Sequence, residues 1–144
     1  MKARSLVIIG LIVVMLAGVL LGQSPLEIRA ASATAVSGWQ QMGGPGGNPI
    51  WVAPASVLTS ADIERAERRA VPDSGPAVGV VFTADGAKKM SQLSATQSGK
   101  PIAMLLDGKV IWAPIVRGAI EKEAVLTGLT PAQADRLLTS LKGR

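Results

Sequence analysis

The N-terminal segment has little choice of environment. Lys2 and Arg4 precede an uncharged, strongly apolar run from Ser5 to Gly22, close to the ~20 residues a helix needs to cross a hydrocarbon core. Such a run is expected to enter a membrane. Basic residues before it and few just after it orient the N-terminus inside and the rest of the chain outside. The run is longer than the roughly 7–15 residues of a signal-peptide core, yet Ala31-Ser32-Ala33 offers a small-x-small cleavage site. That site lies beyond Gln23, Pro25, Glu27 and Arg29, farther out than a signal peptidase works, which favours retention. Residues 1–33 are therefore read as a signal peptide or a single transmembrane anchor. The rest of the chain is expected on the outer side of an inner (cytoplasmic) membrane of bacterial type, or in the periplasm or medium if it is cut near Ala33.

Composition narrows the chemistry. The 48% hydrophobic content is inflated by Leu6–Leu21, and the remainder is ordinary globular sequence. There is no cysteine, which excludes disulfides, thiolate metal sites, cysteine nucleophiles and a lipoprotein lipobox. Histidine is absent too, removing the commonest general base and the commonest metal ligand. No cofactor or metal is expected. The formal charge of +5 suggests nucleic acid at first sight, but from Thr34 onward 12 basic residues face 9 acidic ones, interspersed along the chain. Such a pattern is that of solvated faces, and no nucleic-acid partner is expected.

A catalytic reading would need a Ser-Lys pair. No serine has a lysine three residues downstream, and Ser98-Gly-Lys100 and Ser140-Leu-Lys142 fall at expected helix ends. Glu121 and Glu123 flank Lys122 in an exposed turn or strand start. The chain is read as a binding protein and not an enzyme.

Five glycines and two prolines between Val36 and Pro49 mark residues 34–49 as a flexible linker. Gly44-Pro45-Gly46 lacks the further glycine and the preceding strand that a phosphate-cradling loop requires. Folded structure is expected over 50–144. Ile50–Ala53 reads as a short strand, and Thr59 with Asp62 reads as the cap of a helix carrying Glu64, Arg65, Glu67, Arg68 and Arg69 outward. Asp73-Ser-Gly-Pro76 breaks the chain. Ala77–Phe82 is β-branched and apolar, a buried strand, and Thr83 caps the helix after it, with Ala87, Met90 and Leu93 on one face and Gly99 as the stop. Ile102–Leu106 and Val110–Ala113 flank Asp107-Gly108, a strong hairpin signal because a primed turn needs positive φ. Glu123–Thr127 is a further strand. Thr130 and Gln133 form a capping box with Pro131 at the first helical position, ahead of the stripe Ala134, Leu137, Leu138 and Leu141. The expected fold class is α+β, a small mixed or antiparallel sheet with helices on one face, preceded by an N-terminal hydrophobic helix and the Gly/Pro-rich linker.

Three stretches carry a family resemblance. Val78-Gly-Val-Val-Phe-Thr-Ala-Asp-Gly-Ala-Lys-Lys-Met90, Gly99-Lys-Pro-Ile-Ala-Met-Leu-Leu-Asp-Gly-Lys-Val-Ile-Trp-Ala-Pro114 and Leu126-Thr-Gly-Leu-Thr-Pro-Ala-Gln-Ala134 closely resemble the head subdomain of the first periplasmic domain of SecD and of fused SecDF, accessory membrane components of the Sec preprotein translocase. The resemblance spans about Ile50 to Lys142 and is most specific over Leu105–Pro114. It implies a non-enzymatic head that contacts unfolded or exported protein, with a polypeptide or membrane-protein partner, the Sec translocon among them. It transfers no binding residues, since the matching motifs are turns and strands. SecD-type proteins couple head movement to proton flow through a helix bundle; this sequence has a single hydrophobic segment and no intramembrane Asp or Arg. An anchored or secreted structural module with the same fold and no export role is the alternative.

Two features stand out as site candidates. Asp107, Gly108 and Lys109 are accounted for by turn geometry and solvation. Trp112 is either core or an exposed anchor for a partner, the latter requiring an apolar groove beside it.

Overall fold

The computed structural model describes residues 24–141. The expected hydrophobic helix over 5–22 lies outside them, and among the described residues no helix is long and apolar enough to cross a membrane. The elements are β1 (Leu26–Ser32), β2 (Gln40–Gly43), β3 (Pro49–Val52), β4 (Leu58–Thr59), β5 (Ile63–Ala70), β6 (Pro76–Phe82), α1 (Ala84–Thr96), β7 (Ile102–Leu106), β8 (Lys109–Trp112), β9 (Glu123–Leu126) and α2 (Pro131–Leu141), with short 3-10 turns at Pro45–Gly47 and Ser60–Asp62.

These strands form two antiparallel sheets. The larger has the order β2-β3-β1-β7-β8, with β4 also pairing with β1, and the smaller the order β5-β6-β9. Strand β1 is the hub of the larger sheet. It pairs with β7 from Leu26↔Leu106 to Ala30↔Ile102, while its other edge takes β4 at Glu27 and Ile28 and β3 at Ala31 and Ser32. Leu26, Ile28 and Ala31 are fully buried, and burying each large apolar side chain contributes about 1.5–3 kcal/mol. Between β3 and β4 the chain bows outward over Glu27 and Arg29, whose ion pair at 2.8 Å is completed by Arg29 donating to the Ala53 and Pro54 carbonyls.

Three expectations are corrected by these elements. β1 falls within the segment 1–33 expected to be signal or anchor, and cleavage after Ala33 would remove the central strand. β2 and its turn fall within the expected linker 34–49, where β2 pairs with β3 from Gln40↔Val52 to Gly43↔Pro49. The helix expected after Thr59 is a single 3-10 turn. Asp62 does cap it, its carboxylate accepting from the Thr59 N–H at 3.0 Å, but from Ile63 the chain pairs with β6 down to Ala70↔Pro76. Cap chemistry at Thr59 is satisfied equally by one turn and by a long helix, and strand pairing decides between them.

The α+β class and the helix caps stand, but the one sheet expected is two. Thr83 accepts from Gly86 N–H at 3.0 Å to cap α1, and Thr130 and Gln133 cap α2 reciprocally at 3.1 and 2.9 Å. Gly86 has a further reason to be glycine: a Cβ there would lie 2.4 Å from the Asp62 carbonyl oxygen, so α1 packs directly on the 3-10 turn.

One main core joins both sheets and both helices. Ile28, Ile102 and Met104 from the larger sheet meet Val78, Val80 and Phe82 from the smaller, closed by Met90 and Leu93 of α1 and Leu137 and Leu141 of α2. The larger sheet also curls, so that its opposite face encloses a second, smaller core of Ala31, Ile50, Val52, Ala103, Leu105 and Val110. Every residue of β7 is consequently buried, which explains its unbroken apolar sequence.

Candidate functional site

The β7–β8 hairpin forms as its turn residues dictate, with Asp107 and Gly108 at φ 52° and 82°. Its register then slips. Leu105 pairs with Val110 but Met104 pairs with Trp112, so β8 carries one extra residue. A bulge of this kind puts two successive side chains on one face: Ile111 and Trp112 both pack against the main core, and Ala113 returns to the small one. Trp112 is half-buried.

Beyond Trp112, Pro114 ends the ladder, and the chain continues beside the segment that leads into β7. Ile102 N–H donates to the Pro114 carbonyl at 3.1 Å, Val116 N–H to Lys100 at 2.9 Å and Gly99 N–H to Val116 at 2.8 Å. Alternation along this short ladder buries Val116 and leaves Ile115 54% exposed. No other large hydrophobic side chain among the described residues matches that exposure, Val125 being next at 40%.

Ile115 forms one wall of an apolar groove of about 270 Å³ at the mouth of the curled sheet. Ile50 and Ala113 of the small core form its floor, Pro49 and Pro101 its sides, and the Gly44–Asn48 turn its lip. The lip is closed by Gly44 N–H donating to the Asn48 carbonyl at 2.8 Å, with Gly46 and Gly47 at φ 77° and 84°. Small and ring-locked residues meet here from separate loops, and none is long enough to fill the space. None of the lining residues is charged, and Asn48 is the single polar side chain among them. By contrast, the hollow between β5 and α2 is rimmed by the Arg68–Asp135 ion pair, and the one beside α1 by Lys88, Glu121 and Lys122.

One residue that supports the groove has no evident signal in the sequence. Gln97, at the end of α1, is buried, and its amide donates to the Ala31 carbonyl at 2.8 Å and the Pro101 carbonyl at 2.9 Å. It ties the Pro101 side of the groove to β1. A polar residue beside Ser98-Gly99 reads as an ordinary exposed helix end, so only the tertiary structure reveals it.

The remaining candidates resolve into structural roles. Asp107 does more than turn the chain: Arg136 of α2 grips its carboxylate with Nε at 2.7 Å and a terminal nitrogen at 2.9 Å. The hydrogen bond and the charge of Asp107 raise the Arg136 pKa above its ordinary value. Lys109 is exposed, as are Ser98, Lys100, Glu121 and Glu123. Ser140 donates to the Leu137 carbonyl, and Lys142 lies outside the described residues. Among the described residues no group of three or more acidic side chains is placed to hold a metal. What the geometry offers is a surface for apolar contact.

Comparison with known proteins agrees in fold and sequence. Residues 36–143 match the family model described as SecDF, P1 head subdomain. The protein translocase subunit SecDF of Thermus thermophilus is 41% identical over 80 residues, 54% of this chain and 11% of that protein. The protein translocase subunit SecD of Acidaminococcus fermentans is 39% identical over 89 residues, 60% of this chain and 21% of that protein. The chain thus spans only a small part of these relatives. A solved structure of a membrane component SecDF that enhances protein export superposes with a TM-score of 0.63 at 26% identity, covering 85% of this chain and 64% of that one. A crystal structure of SecDF in a super-membrane-facing form gives 0.62 at 25% identity, covering 81% and 18%. Since the matched family model runs from just after β1 through α2 and takes in well over half of the sequence, the chain belongs to the SecDF P1 head subdomain family.

Proposed function

We propose that this protein is a non-enzymatic head module, held on the outer side of an inner membrane by residues 5–22, that contacts exported or unfolded polypeptide through the groove at Ile115. Its relatives are named as translocase subunits, and one structural neighbour is described as enhancing protein export. The observation that carries the reading is the uncharged groove, whose most exposed wall is an isoleucine. A contact that serves many sequences cannot depend on particular charges; apolar side chains and small, backbone-rich walls suit an extended chain of varied composition. Trp112 does not line the groove: its side chain packs against the main core, on the other side of β8 from Ala113. A retained anchor is favoured over cleavage near Ala33 because that cut would sever β1 from the domain.

The test is a titration of the full chain in lipid nanodiscs with a fluorescently labelled, permanently unfolded polypeptide. Ile115→Asp is expected to weaken binding by about tenfold or more, since losing a buried isoleucine contact costs over ~1.4 kcal/mol, while Val125→Asp on the smaller sheet leaves it unchanged. Equal binding by both variants would refute the groove as the contact. No binding by the unaltered chain would leave a structural module with this fold and no export role.

A further inference from the structure

The anchor and the groove lie at opposite ends of the same strand. The uncharged run ends at Gly22, and Ser24 is already part of the fold: its hydroxyl shares a hydrogen bond with Ser60 at 2.8 Å and accepts from the Ser60 N–H at 3.2 Å. Pro25 is fastened next, its carbonyl accepting from the Asp107 N–H of the β7–β8 turn at 2.8 Å. Between Gly22 and Ser24 stands Gln23 alone, and two residue steps reach at most ~7 Å. A tether this short cannot let the domain tumble. The end of the larger sheet that carries the Asp107-Gly108-Lys109 turn and the Ser60–Asp62 turn must lie against whatever Gly22 is embedded in.

β1 then runs away from that end for seven residues, about 20 Å at ~3.3 Å per residue. At its far end the Ala31 N–H donates to the Pro101 carbonyl at 3.2 Å, and Ala33 and Pro101 both line the groove. Lys109, exposed and with no ion pair among the described residues, belongs to the near end. So does Lys89, paired at 3.0 Å with Asp62 on the Ser60–Asp62 turn.

We infer that the domain rests on the phospholipid headgroup layer by its β7–β8 turn, with Lys109 within reach of the headgroup phosphates, and that the Ile115 groove opens on the opposite side, away from the bilayer. This rests on residues 5–22 being a membrane anchor. The head would therefore be presented in one orientation, and polypeptide would meet the groove about one strand length above the membrane surface.

The chain has no cysteine, so single reactive sites can be placed without background. Lys109→Cys and Ala61→Cys mark the near end and Lys100→Cys the far end, all at exposed positions. Each full-length variant is labelled with bimane, incorporated into phosphatidylglycerol-containing vesicles and challenged with lipids bearing a nitroxide on the headgroup. Label at 109 and 61 is expected to be quenched several-fold more strongly than label at 100. Equal or reversed quenching in protein that floats with the vesicles overturns the orientation while leaving the anchor standing. Protein that fails to float overturns the anchor and this inference with it.

Discussion

Strand β7 of the larger sheet and strand β5 of the smaller share a core yet meet solvent in opposite ways. All five residues of β7 are buried, whereas β5 buries only Ile63 fully and carries Arg65, Glu67, Arg68 and Arg69 toward solvent. The larger sheet reaches this state by curling over its own second core, the smaller by leaving one face open. On that open face the Arg69 side chain lies across Gly79, so close that a Cβ there would come within 2.7 Å of its Nε. Charged residues along β5, an edge strand, also discourage pairing with another chain. A sheet that curls needs apolar filling on both faces, and where its mouth is lined mainly by glycine, proline and alanine, filling runs out. The groove is that shortfall, whereas the hollow beside the smaller sheet, between β5 and α2, is rimmed by the Arg68–Asp135 ion pair.

If β1 is the hub of the curl, removing residues 1–33 should have the largest effect: the remaining chain is expected to show no cooperative thermal transition by circular dichroism, and a sharp melt would break the comparison. Next, Leu105→Ala in the second core should lower the unfolding free energy by about 2–4 kcal/mol in urea titrations, while Val81→Ala, in the smaller sheet and only half-buried, costs less than about 1 kcal/mol. Similar losses would mean that the two sheets are not differently packed. Gln97→Ala should cost about 1–3 kcal/mol by leaving the buried Ala31 carbonyl without its side-chain donor and the Pro101 carbonyl with the Ala31 N–H alone, and should alter polypeptide binding through the loosened Pro101 wall more than an equally destabilising change in α2 does. Smallest is Asp107→Asn, which keeps a side chain suited to positive φ but removes the charge that holds Arg136; an exposed pair of this sort is expected to move Tm by no more than about 2 °C.

Local signals were readable and long-range ones were not. The Asp107-Gly108 hairpin, the Thr83 cap and the Thr130–Gln133 box each depend on residues within a few positions, and each stands where the sequence placed it. β1 was hidden because its partner Leu106 lies 80 positions from Leu26, and because Glu27 and Arg29 make it resemble a polar membrane flank. β5 was hidden because Thr59 and Asp62 satisfy the start of a helix without requiring one. For the groove, Trp112 is the large aromatic on the hairpin, but the bulge in β8 turns its ring toward the main core and leaves Ile115 as the exposed wall. Neither a one-residue bulge nor the meeting of glycines and prolines from distant loops leaves a periodic trace in the sequence.

The groove is tested most directly by crosslinking in living cells, with a photoreactive residue placed in the full chain at Ile115 or, on the smaller sheet, at Val125. The account predicts that position 115 captures exported polypeptides during their passage and that position 125 does not. Capture from both positions alike, or from 125 alone, would contradict it.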